Sequence, residues 1–260
     1  MAERVDYDRL APTYDARYGA NQRSGTGAAL RALVEAARAK QVLEVGCGTG
    51  HWLVELQPLV SLAYGLDLSS GMLYLAHDKT PSLGLVRGRA SRLCFAGATF
   101  GLVYCVNAIH HFDRPRAFVA EARRTLRLGG MLAVIGMDPR GQRNKWYVYD
   151  YFEGVYERDL RRFPSWDTVM DWMVEQGFAE VECRVVERFG DDLVGRAVLD
   201  HPFLRKESCS QLALLSDEAY TAGVRLIEAA LDEADEGGVE IVFPDDMSLA
   251  MISGHVGEGR

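Results

Sequence analysis

The chain is poor in lysine, which occurs at positions 40, 79, 145 and 206, so its 29 basic residues are nearly all arginine. Set against 37 acidic residues, they leave a formal net charge of -8. The basic clusters, Arg123-Arg124 with Arg127 and Arg158 with Arg161-Arg162, are short and mixed with other residue types. A polyanion-binding surface needs a basic face, so nucleic acid is not the expected partner. Cysteine is sparse too: Cys47, Cys94, Cys105, Cys183 and Cys209 are odd in number and scattered, with no C-x-x-C pair. That spacing argues against a disulfide framework and a zinc site. No run approaches the roughly 20 apolar residues that span a bilayer, and the first residues, Met-Ala-Glu-Arg-Val-Asp-Tyr, lack the basic-then-apolar order of a secretory signal. The expectation is a soluble, cytoplasmic protein with a small-molecule substrate, no membrane partner, no metal and self-association left open.

What is present has globular proportions: 260 residues, 48% hydrophobic, 25% charged and 10% aromatic. The 26 Gly and 8 Pro follow no period, which excludes collagenous and low-complexity chains. A chain of this length buries about 70 to 75% of its unfolded surface, enough for one large domain with insertions and no covalent staple.

Secondary structure reads as an alternation. Residues 26–39 carry helix formers with apolar positions at helical spacing. Gln41 to Val45 is a β-type run that breaks at Gly46-Cys47-Gly48-Thr49-Gly50, after which His51 to Leu56 resumes helical spacing. The beat recurs with strands at Leu62 to Leu68, Leu83 to Gly88, Phe100 to Val106 and Gly130 to Gly136, and helices at Ser70 to His77 and Pro115 to Leu128. Nearly continuous apolar strands separated by amphipathic helices imply a parallel sheet covered on both faces, a doubly wound α/β fold. Residues 137–163 hold an aromatic stretch, Trp166 to Gln176 reads as a helix and Phe178 to Phe189 as a strand. Residues 190–238 read as a mostly helical insertion and Met247 to Val256 as the last strand.

A strand running into a glycine turn and then a helix lets backbone approach a ligand and aims free N–H groups at it. The dinucleotide pattern G-x-G-x-x-G would place its third glycine at position 51, which is His51; here it falls at Gly50. Glu44, at the strand end, would repel a pyrophosphate and can instead accept from a loop N–H or hold an ammonium group. Asp67 ends the next strand, where a doubly wound sheet places a carboxylate for two ribose hydroxyls.

Val42-Leu43-Glu44-Val45-Gly46-Cys47-Gly48-Thr49-Gly50 with Gly65-Leu66-Asp67-Leu68-Ser69 resembles motif I and its partner acid in the class I S-adenosylmethionine (SAM) dependent methyltransferases. Tyr7-Asp8 and Tyr14-Asp15 around Leu10-Ala11-Pro12 are similar to the family's Y-D-x-x-A-x-x-Y-D segment. Gly88 to Phe95 resembles its adenine loop, Phe100 to Phe112 its fourth-strand motif, and Arg127-Leu128-Gly129-Gly130 its turn into strand five. The resemblance implies a Rossmann-like sheet of seven strands in the order 3-2-1-4-5-7-6, the last antiparallel, in a single domain over residues 1–260. Residues 137–163 and 190–238 are then insertions forming a helical and aromatic lid.

It also implies SAM as cofactor, held by Tyr14, Glu44, Gly46, Cys47, Gly48, Gly50, Asp67, Leu68, Met72, Ala90, Ser91 and Asn107, with S-adenosylhomocysteine (SAH) as product. The chain departs from the family at Arg89, where an acid usually receives the adenine amine; arginine cannot accept a hydrogen bond, which leaves the backbone at Ala90 and Ser91 to read the base. Gly101 stands where the fourth strand usually begins with Asp.

His110 and His111 lie beyond strand four, at the edge where open α/β sheets bind ligands, and a histidine there can take a proton from an acceptor. Both also fit a structural role. Trp146, Tyr147, Tyr149 and Tyr151 suit the wall of a flat apolar substrate or the packing of the insertion. The expected reaction is methyl transfer to a small aromatic or heteroaromatic acceptor. Two alternatives stay open: an NAD-dependent oxidoreductase, and a SAM-binding protein that no longer transfers methyl.

Overall fold

The computed structural model describes residues 7–10, 24–141 and 145–257. Seven strands form one sheet: β1 Gln41–Val45, β2 Leu62–Asp67, β3 Gly84–Arg87, β4 Phe100–Val106, β5 Leu126–Gly136, β6 Phe178–Phe189 and β7 Met247–Val256. Their spatial order is β3-β2-β1-β4-β5-β7-β6. The first five pair in parallel, whereas β7 runs antiparallel to β5 and β6. This is the Rossmann-like order expected, with the odd strand inserted between β5 and β6.

The central strands are apolar throughout because both faces are covered: every residue of β4 is buried. One core joins Leu43, Val45, Val103 and Cys105 to Phe118 and Val119 of a helix at Pro115–Thr125 and to Val169 and Met173 of a helix at Trp166–Glu175. On the other face, Val42, Leu102, Tyr104 and Ile135 pack against Leu30 and Leu33 of a helix at Ser24–Ala36 and Leu53 of the helix at His51–Leu56. The chain reverses direction at β1 relative to this order, since β2 pairs with one edge of β1 and β4 with the other. That reversal opens a crevice beyond the carboxyl ends of these strands, the usual ligand position in such sheets.

Residues 137–163 and 190–238 pack on each other. Tyr147, Val148, Tyr149, Phe152 and Val155 meet Val198, Leu204, Leu212, Ile227 and Leu231 in a third buried cluster. Its backbone is a helix at Val155–Arg162, one at Asp217–Gly237 capped by the Ser216 hydroxyl, and a two-stranded ribbon of Leu193–Val194 with Val242–Phe243. The helix at Asp217–Gly237 ends in a left-handed cap at Gly238. Among the described residues, no helix is long and apolar enough to cross a membrane.

Candidate active site

The crevice is a cleft of about 710 Å³. Its floor is the turn after β1, where Gly46, Gly48 and Gly50 all have positive φ, at 74°, 51° and 74°. Gly46 is the tightest of these: a Cβ there would lie 2.6 Å from the Cβ of Ala108. The bare turn therefore packs directly against the Ala108 and Phe112 side chains of the loop after β4. Gly46 and Gly48 line the cleft, whereas Gly50 caps the helix that follows.

Asp67, at the end of β2, faces the same cleft. One carboxylate oxygen accepts the Gly48 N–H at 2.8 Å and the other the Ser69 N–H at 2.9 Å. Burial raises its pKa, against these amides and that of Leu68, which favour the charged form. A carboxylate has about four lone-pair positions, so capacity remains for hydroxyl donors from the cleft. Leu68 and Met72 line the cleft beside it; Leu68 is 45% exposed and Met72 only 1%. Ala90 and Asn107 line it as well. Asn107 sits at φ 50°, held there as its N–H donates to the Ile135 carbonyl at 2.8 Å.

Besides Gly50, three residues expected to touch cofactor lie outside the lining. Glu44 is 1% exposed beneath the loop, where it accepts the Tyr104 hydroxyl at 3.3 Å and the Leu53 N–H. Burial pushes its pKa well above the usual carboxylate range. It anchors the base of the glycine turn to β4 rather than reaching the ligand space. Cys47 and Ser91 are buried behind the wall. Tyr14 falls outside the described residues.

The N-terminal segment enters through Tyr7 and Asp8. Asp8 accepts the Ser69 hydroxyl at 2.6 Å and the Gly71 N–H at 2.7 Å, which docks a one-turn helix at Tyr7–Leu10 onto the start of the helix at Ser70–Lys79. Tyr7 meets His111 Nε2 at 2.6 Å, and both residues line the cleft. His110 also lines it, stacked on Phe163 with ring centroids 3.9 Å apart. Burial drives the His110 pKa well down, helped by His111 and Arg162, so its imidazole is neutral at physiological pH.

Several lining residues escaped the sequence reading, Asp113 and Arg162 among them. Asp113 lies 3.4 Å from Arg89, placing a carboxylate on the cleft edge where the adenine loop lacks one. Arg162 lines the opposite end, ion-paired at 3.1 Å to the fully buried Asp159. Neither belongs to a local motif; each reaches the cleft by tertiary packing.

Of the four expected substrate-wall aromatics, Trp146 lines a smaller chamber beyond the cleft. Tyr147, Tyr149 and Tyr151 line neither cavity. Val148–Tyr151 is a single helical turn, not an extended run, and it turns these rings into the third buried cluster. There the Tyr149 hydroxyl donates to Asp159 at 2.9 Å, Tyr147 meets His201 Nδ1 at 3.2 Å, and Tyr151 packs on Phe243.

The strand order agrees with what comparison to known proteins finds. Residues 43–134 match the family described as Methyltransferase domain. Over this stretch the chain resembles the class I methyltransferases. Over 111 residues it is 37% identical to a phthiotriol/phenolphthiotriol dimycocerosates methyltransferase of Mycobacterium tuberculosis, a match covering 41% of each chain. The chain thus spans less than half the length of that relative. A demethylmenaquinone methyltransferase of Chlorobaculum parvum is 28% identical over 64% of this chain and 73% of its own. An antibiotic-biosynthesis-pathway protein of Anabaena variabilis shares the fold, with a TM-score of 0.64 at 23% identity, over 86% of this chain and 95% of its own.

Proposed function

We propose that this chain binds SAM in the cleft and transfers its methyl group to a small aromatic or heteroaromatic acceptor. The observation that carries the reading is Asp67, held by the Gly48 amide at the mouth of a glycine turn with room only for backbone. The donor set fits a nucleoside ligand: a carboxylate with spare acceptor capacity for a ribose diol, an apolar wall at Leu68 and Met72 for a base, and Asp113 for an exocyclic amine. Arg162 fits a carboxylate at the other end. SAM, when bound, supplies an already activated methyl on a sulfonium, so the protein's task is alignment and exclusion of water. In this reading His111, which meets Tyr7 at 2.6 Å on the cleft wall, receives a proton from the acceptor. The relative that acts on demethylmenaquinone is consistent with a ring-bearing acceptor.

Calorimetry tests the cofactor reading: SAH should bind with low-micromolar affinity and NADH should give no heat. Tight NADH binding with no SAH signal would overturn it in favour of an oxidoreductase.

A further inference from the structure

The smaller chamber has a volume of about 100 Å³ and shares Tyr7, Asn107, His110 and His111 with the cleft. These four residues therefore form the partition between the two spaces. The chamber is otherwise walled mainly by rings and apolar side chains, among them Trp146, Phe163 and Phe203, with Ser208, Ser210 and Gln211 adding neutral polar groups. Among the described residues, the lining holds one acid, Asp245, and no lysine or arginine.

Asp245 is 3% exposed. Its carboxyl lies 3.4 Å from His201 Nε2, and its N–H donates to Asp192 at 3.1 Å. The charged groups around it are acidic: Asp191, Asp192 and Asp246. Burial, reinforced by these three, pushes its pKa up to about 7. His201, whose other nitrogen meets Tyr147, is pushed down by burial and brings no positive charge at neutral pH. His110 on the partition is driven down in the same way. A buried carboxylate without a cation is costly, and a ligand that supplies the cation recovers that cost. Aromatic walls around a buried acid are the chemistry that recognises a protonated nitrogen carried on a ring.

We propose that this chamber seats the methyl acceptor and that Asp245 binds a basic nitrogen on it, so that the acceptor is a small ring carrying an amine-type cation. The inference rests on the cleft being the methyl-donor site, because the chamber adjoins it across Asn107 and His111. Cation binding holds Asp245 ionised, so at pH 7 it should release about half a proton.

The test is calorimetry at pH 7 with SAH bound, using benzylammonium, benzyl alcohol and benzoate as probes in two buffers of different ionisation enthalpy. Benzylammonium should bind at least about tenfold tighter than benzyl alcohol, with proton release, and benzoate should not bind. Asp245→Asn should abolish this ranking and the proton release while leaving SAH affinity unchanged, which also shows that the variant is folded. Equal binding of the three probes, preference for benzoate, no binding of any probe, or an unchanged ranking in Asp245→Asn overturns the proposal. Such results with normal SAH binding leave the cofactor reading standing, whereas absence of SAH binding to the unsubstituted protein removes both.

Discussion

The carboxylate of Asp67 and the amide of Gly48 are 2.8 Å apart, joining the end of β2 to the turn after β1. The acid thereby both shapes the glycine turn and presents its remaining lone pairs to the cleft.

Replacing Asp67 by Ala should weaken SAH binding by about one hundredfold, since a bond to a charged acceptor and the turn's tie are lost together; hydrogen bonds to charged groups contribute about 1.5–3 kcal/mol. Calorimetric affinity within threefold of the unsubstituted protein would remove Asp67 from the site. Asp113→Ala should cost about tenfold on the same scale, and no change would return adenine recognition to the backbone of Ala90.

Gly46→Ala should be poorly tolerated. Its φ of 74° disfavours any side chain, and the new Cβ would lie 2.6 Å from that of Ala108. A loss of about 1–3 kcal/mol is expected from strain alone, read as a fall in thermal midpoint together with weaker SAH binding.

Asp159→Ala should destabilise the fold by about 3–5 kcal/mol, because Arg162, largely buried and ion-paired to it at 3.1 Å, loses its counter-charge. Tyr149→Phe removes one hydrogen bond to that carboxylate and should cost about 1–2 kcal/mol. Urea unfolding of the two variants separates these magnitudes; equal small losses would show that the pair is not held as described.

Stability should carry the signature of two shifted groups. The pKa of His110 is lower in the folded state, so its contribution is present above the ordinary histidine value of about 6.5 and is lost as pH falls through the folded value. His110→Gln should therefore lessen the loss of thermal midpoint on acidification. The pKa of Asp245 is raised, so its contribution is present below the ordinary carboxylate value and is lost as pH rises through about 7. Asp245→Asn should melt above the unsubstituted protein at pH 8, with the advantage shrinking toward pH 5. A pH-independent difference would contradict the shift.

Much of this was legible in the primary structure. Gly46-Cys47-Gly48-Thr49-Gly50 after an apolar strand, with Asp67 ending the next, specifies turn, helix and paired acid through local conformational preference alone, and β6 and β7 fell where alternation and apolar runs placed them. The aromatic stretch was not legible in the same way. Tyr147 and Tyr149 carry the same chemistry in a substrate wall as in a core, and which they adopt depends on Asp159 and His201, far along the chain.

Periodicity and backbone freedom in the sequence pointed to a doubly wound sheet with a glycine turn after its first strand, because those depend on short-range preferences; the strand order followed only from the family resemblance. Only the tertiary structure decided that Glu44 lies under the loop, that Asp113 stands beside Arg89, and that Asp245 closes a second chamber. Each of these depends on burial and on the approach of segments distant in the chain, which no local pattern encodes.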